Sequence, residues 1–289
     1  MNRYGGAQPP PHIRRHSRKR RSGSYFLTHT PPKVKKHLAA VLTLPLLPVL
    51  LAQGYWTRKR TPRLPDAGGP LEGTVTSGGD PIQLIAVGES TVAGIGATTH
   101  ETGLTGQFAL ALSGHSKRSV RWLVVARSGI NARKSLVELV PKLAGRRADI
   151  VLIALGVNDS IEFHTARRWS ADIEQLIDSI RREVGEALVL LAGVPPLDCF
   201  PALPHPLSFV LGARSSSLDM ASAGIARKMK RVVHVPFQIE KDGSRQFFCA
   251  DGFHPSELGY GLWAEQLAEA FARFDDDRLG ASAGRAAFV

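Results

Sequence analysis

Four short blocks carry the side chains from which acyl-transfer chemistry can be assembled. They are Gly88-Glu89-Ser90-Thr91-Val92-Ala93-Gly94, Arg127-Ser128-Gly129-Ile130-Asn131, Gly156-Val157-Asn158-Asp159-Ser160 and Asp251-Gly252-Phe253-His254-Pro255. A serine hydroxyl is a poor nucleophile until a neighbouring base takes its proton. Ser90 is the candidate nucleophile and His254 the candidate base. Asp251, three residues before His254, can hold the imidazole in the required tautomer and stabilise its charged form. The tetrahedral intermediate also needs fixed donors where its oxyanion forms. The Ser90 amide, the Gly129 amide and the Asn158 side-chain amide are the candidates, and glycine at 129 lets the backbone approach a ligand closely. Each residue also has a plainer reading. Ser90 could cap a helix, Gly129 and Asn158-Asp159 could be turn residues, and His254 before Pro255 could simply start a helix. His115 and His164 have no partner pattern and read as surface residues. Asp275-Asp276-Asp277 reads as a solvated helix end rather than a metal site.

These blocks can act together only if the fold brings them to one edge. Short, nearly continuous apolar runs occur at 82–87, 120–126, 150–155 and 187–192, with a weaker one at 232–235. Such runs read as strands buried on both faces of a parallel sheet. Between them lie helical patterns. Trp169, Ile173, Leu176, Ile177, Ile180 and Val184 mark one face of a helix near 165–184, and Leu258, Leu262, Leu267, Phe271 and Phe274 mark a face of the last helix. Alternating strands and helices predict right-handed crossovers and a doubly wound α/β sheet. Ligands bind such sheets at the carboxyl ends of the strands, which is where all four blocks fall.

The blocks, in their order and spacing, resemble those of the SGNH hydrolases, also called GDSL esterases and lipases. The resemblance spans about residues 80–275. It implies a flavodoxin-like three-layer α/β/α sandwich with a five-stranded parallel sheet and serine hydrolysis without metal or cofactor. It also implies Ser90 as nucleophile and oxyanion donor, Gly129 and Asn158 as further donors, and Asp251 with His254 completing a triad. Glu89 departs from the Asp of the family's name-giving motif, at a position that is not itself a triad member. The nucleophile elbow of the α/β-hydrolases fits less well, since it needs Gly two residues after the serine and Val92 stands there. The apolar, Pro-rich stretch 194–211 follows the fourth run and could wall an acyl pocket or pack on the core. A wall favours acyl esters or lipids. The same site would also serve an acyltransferase, a thioesterase or a carbohydrate deacetylase, and a different-class reading is a membrane-tethered binding protein with an inactive site.

The charge is divided unevenly. The 289 residues hold 37 Lys and Arg against 25 Asp and Glu, a formal net charge of +12. Residues 1–65 contain 14 of the basic residues and none of the acidic ones, which leaves 23 basic and 25 acidic residues for the rest. The near-neutral body therefore does not read as a nucleic-acid binder, which needs a basic face. The expected organisation is a basic disordered segment (1–37), an apolar signal or anchor segment (38–54), a linker (55–80), the hydrolase domain (81–275) and a tail (276–289). The uncharged run 38–52 is shorter than the roughly 20 residues of a spanning helix. It suits a signal-peptide core with Ala52-Gln53-Gly54 as a cleavage region, or a short anchor that touches the membrane surface. Val34 as an alternative start would give an ordinary signal peptide. Export or anchoring is the expectation, and a cytoplasmic, membrane-associated protein is the alternative. The two cysteines, Cys199 and Cys249, could pair in an exported body or remain buried thiols.

Overall fold

The computed structural model describes residues 46–239 and 244–286. The expected disordered segment and the first part of the apolar segment lie outside these residues. The described chain opens with helix α1 (Leu47–Arg60). Pro48 falls in its first turn, where proline's missing N–H breaks no helical bond. There follow β1 (Glu72–Val75), β2 (Ile82–Gly88), α2 (Leu104–Ser116), β3 (Val120–Ala126) and α3 (Ala132–Glu138). Next come β4 (Ile150–Ala154), α4 (Val157–Ile161), α5 (Ala166–Val184) and β5 (Leu188–Ala192). The chain closes with α6 (Leu207–Lys228), β6 (Val232–Val235), α7 (Ser244–Phe247) and α8 (Glu257–Ala286). Among the described residues no helix is long and apolar enough to cross a membrane.

The five runs expected to form a parallel sheet do so, in the order β3-β2-β4-β5-β6. This is a flavodoxin-like order, with its switch point at β2. Side chains alternate across the strands. Leu84, Ala86 and Leu152 join the core under α2 and α8. Ile85, Val87, Val151 and Ile153 join the core under α3 and α5. The helix read near 165–184 is α5, and all six residues that marked its face are buried.

Three expectations need correction. The sheet has six strands, because β1 pairs antiparallel with the outer edge of β3. β1 lies in the stretch read as a linker; an edge strand of four residues with an exposed, polar side has no apolar run to betray it. The apolar face of α8 is rotated from the one inferred. Tyr260, Trp263, Ala264, Leu267 and Ala268 are buried, whereas Leu258 and Leu262 are more than half exposed. The helix carries apolar residues on several sides, and the four-residue spacing of Leu258 and Leu262 suggested the wrong one. Finally, α8 runs to Ala286, through most of the stretch read as a tail.

Candidate active site

Ser90 follows the carboxyl end of β2, where Gly88 permits a tight crossing. A Cβ at 88 would lie 2.3 Å from the Ala154 carbonyl oxygen of the neighbouring strand. The loop beyond Ser90 is tied to α8, since the buried Tyr260 hydroxyl donates to the Ile95 carbonyl at 2.6 Å. Glu257, in the first turn of α8, accepts from the Thr98 amide at 2.9 Å and the Thr102 hydroxyl at 2.9 Å. The loop that precedes α8 carries Asp251 and His254, so one helix positions both sides of the site.

The structure brings Ser90, His254 and Asp251 into one hydrogen-bonded chain. The His254 Nδ1 lies 2.7 Å from Asp251 Oδ2, and its Nε2 lies 3.1 Å from Ser90 Oγ. With the Nδ1 proton directed to the carboxylate, Nε2 is left to accept the serine proton. Asp251 Oδ1 accepts from the Phe253 amide at 2.8 Å, the His254 amide at 2.9 Å and the Cys249 thiol at 3.0 Å. Burial works against the Asp251 carboxylate, but the His254 ring, the Cys249 thiol and the two amides outweigh it and hold the carboxyl well below the usual range. Cys249 is therefore not in a disulfide. Burial pushes its thiol up to about 11, and the Asp251 carboxylate beside it adds to the rise. Cys199, which the exported-body reading could pair with it, is exposed and not joined to it.

Gly129 follows β3 at φ +76°, a left-handed conformation that favours glycine. Nothing stands within 4 Å of where its Cβ would be. Among the described residues, neither the Ser90 amide nor the Gly129 amide has a protein acceptor. Two backbone donors are thus left at the strand exits. Asn131 caps α3 by accepting the Lys134 amide at 2.9 Å, which fixes the end of the Gly129 loop.

Asn158 sits where expected but its side chain is engaged. Its amide donates to the Glu89 carboxylate and to the Ile130 carbonyl, the latter at 3.1 Å. The cause is Glu89, which is 2% exposed. Its carboxylate also accepts the Val157 amide at 2.9 Å and the Asn158 amide at 3.1 Å. Burial pushes the Glu89 carboxyl up to about 8, against the pull of these amides and with the nearby Asp159 adding to the rise.

His164, expected at the surface, is buried. Its Nδ1 lies 2.8 Å from Asp159 and its Nε2 lies 3.3 Å from Glu162. Asp159 also accepts the Ala132 amide at 3.1 Å, and Glu162 accepts from the Asn131 side chain at 2.6 Å. This network ties the exit of β3 to the exit of β4. The only signal in the sequence was a His five residues after the Asn-Asp pair, which is too common a spacing to single out. His115 is exposed, as expected, 3.5 Å from Glu265.

The stretch 194–211 packs inward rather than standing as an open wall. Leu197, Phe200, Leu203, Leu207 and Leu211 are buried in the core. The Phe200 ring lies 5.2 Å from that of Phe253, which lies 5.2 Å from the His254 ring. The stretch therefore braces the loop that carries the histidine.

Residues 86–262 match the GDSL-like lipase/acylhydrolase family. The chain belongs to that family. It is a GDSL-type ester hydrolase, and the four blocks lie within or beside the matched residues. No curated protein matches the chain significantly. Solved structures do. TesA aligns at 23% identity and TM-score 0.53, covering 65% of this chain and 97% of its own. The lipase Lip_vut3 from a goat rumen metagenome aligns at 19% identity and TM-score 0.52, with 65% and 97% covered. The psychrotrophic esterase EstA from Pseudoalteromonas sp. aligns at 16% identity and TM-score 0.52, with 67% and 98% covered. At these identities the likeness is one of fold.

Proposed function

We propose that this hydrolase cleaves carboxylic esters through an acyl-enzyme on Ser90. The observation that carries this reading is the chain from Ser90 Oγ through His254 to Asp251, at 3.1 and 2.7 Å. Ser90 Oγ attacks the ester carbonyl as His254 Nε2 takes its proton. The amides of Ser90 and Gly129 stabilise the oxyanion. Asn158 joins them by exchanging its bond to the Ile130 carbonyl for one to the oxyanion. His254 returns the proton to the departing alcohol. It then takes a proton from water, which attacks the acyl-enzyme, and gives it back to Ser90 Oγ as the acid is released. Asp251, held as a carboxylate, stabilises the imidazolium in both steps.

The substrate we favour is an acyl or lipid ester. The apolar side chains near the His254 loop lie in the core, so support for the lipid comes from the exposed apolar residues of α1. Ser90→Ala should abolish hydrolysis of a short p-nitrophenyl ester and labelling by a fluorophosphonate, with the circular dichroism unchanged. Full turnover in that variant would refute the assignment.

A further inference from the structure

Helix α1 buries little of its apolar surface, Leu50 being its one buried residue. The residues it turns toward the body are Leu50, Gln53, Gly54 and Thr57, at the i, i+3, i+4, i+7 spacing of one helix face. Only Leu50 among them is a large apolar residue, and it is buried against the core. Gln53 is bonded at both ends of its amide. Its Nε2 donates to the His205 carbonyl at 2.6 Å and its Oε1 accepts the Leu207 amide at 3.1 Å. The other sides carry apolar bulk mixed with the basic residues, with Leu51 65%, Tyr55 65% and Trp56 53% exposed, and Leu47, on the flank beside Leu50, is 49% exposed. Phe209, two residues past the Gln53 contact, is 69% exposed. A helix packed on its own protein normally turns its apolar stripe inward. One that leaves most of its apolar residues exposed, beside a basic end, suits a second apolar phase with negative charge at its boundary.

We infer that α1 lies along the surface of an anionic lipid bilayer, and that its tether at residues 205 and 207 brings the carboxyl edge of the sheet to that surface. The inference deepens the lipid-ester reading above, though the docking itself does not depend on it. Charge selects the occupant. Arg58, Lys59 and Arg60 end the helix and are exposed, and the first 65 residues contain 14 basic residues and no acidic one. A second copy of the chain would bring the same positive segment against itself. An anionic surface attracts it, and tyrosine with tryptophan suits the headgroup level.

The fluorescence of the chain makes a direct test. Of its four tryptophans, Trp122, Trp169 and Trp263 are at most 3% exposed, so Trp56 reports contact with lipid. The full chain carrying Ser90→Ala is mixed with phosphatidylcholine vesicles, with or without phosphatidylglycerol. The expected result is a blue shift and quenching by brominated acyl chains only with phosphatidylglycerol. The signal should vanish in Trp56→Phe, and sedimentation with vesicles should weaken roughly 10²-fold when Arg58, Lys59 and Arg60 become Glu. Unchanged sedimentation of that triple variant would overturn the inference, because the binding would then belong to residues 1–45. Absence of binding would overturn it, as would equal binding to both vesicles or a concentration-dependent blue shift without vesicles, which marks a second copy. With Ser90 restored, the triple variant should keep its rate on a soluble ester and lose at least tenfold on an ester held in the bilayer. Failure of Ser90 chemistry would remove both rates and leave the vesicle binding intact, so the two readings fail separately.

Discussion

The buried Glu89 carboxyl makes the stability of this fold depend on pH in an identifiable way. Its ordinary value is 4.5 and burial raises it to about 8 in the folded protein. Between those values the folded chain holds a proton that the unfolded chain has released. The contribution is therefore fully present below pH 4.5 and is lost as pH rises through about 8. At ~1.36 kcal/mol per pH unit, the whole span amounts to roughly 4–5 kcal/mol. Glu89→Gln stays neutral throughout and removes this slope. It also introduces a constant penalty of about 1–3 kcal/mol, because an amide NH2 would face the donors of Asn158. The assay is urea unfolding of both proteins at unit steps from pH 5 to pH 9. That range excludes the acid limb caused by Asp251, whose depressed carboxyl acts in the opposite sense at lower pH. The original protein should be the more stable at pH 5, and the difference should shrink or reverse by pH 9. Parallel curves would refute the reasoning and assign the Glu89 site to a carboxylate already ionised at pH 5.

Three further outcomes are expected. Asn158→Ala should lower kcat about 10²- to 10³-fold, the cost of an oxyanion donor; a loss below tenfold in steady-state assays would leave the two backbone amides as the only donors. Asp251→Asn should lower kcat by up to about 10⁴-fold, because an amide in place of the carboxylate favours the wrong tautomer of His254, and a normal rate would remove Asp251 from the mechanism. Trp169 is fully buried and donates from Nε1 to Ser222 at 3.0 Å, so Trp169→Ala should destabilise the protein by about 3–5 kcal/mol in urea unfolding.

The parts of this fold that were legible in the sequence are those with a local physical signature. The five parallel strands are largely buried, so each is a short, nearly continuous apolar run, interrupted only by Gln83, Arg121 and His234. Asp251 and His254 share one loop, so their pairing is visible at a spacing of three. Contacts across the chain leave no such trace. Glu89 grips Asn158 from 69 positions away, and nothing near Glu89 announces that its carboxyl is buried. His164 looked solitary because Asp159 read as a turn residue and its approach to Glu162 leaves no mark in the sequence. The seating of α1 on the body was hidden for another reason. An apolar run ahead of a domain reads as a targeting segment, and only the structure shows, through buried Leu50 and the bonds of Gln53, that its end is fitted to the body.

β1 bears on where the folding unit begins. It occupies the outer edge of β3, which carries Val120, Trp122 and Val124 buried on one face. A chain trimmed to residue 81, the start of the domain suggested by motifs, would bare that edge. The residues Val120–Leu123 that β1 now pairs would then offer their amides and carbonyls to another molecule, the arrangement that seeds strand-to-strand association. With β1 in place, the outermost strand is four residues long, and its Glu72 faces Arg146 at 3.5 Å. The short strand thus guards solubility, and the self-sufficient unit starts before Glu72.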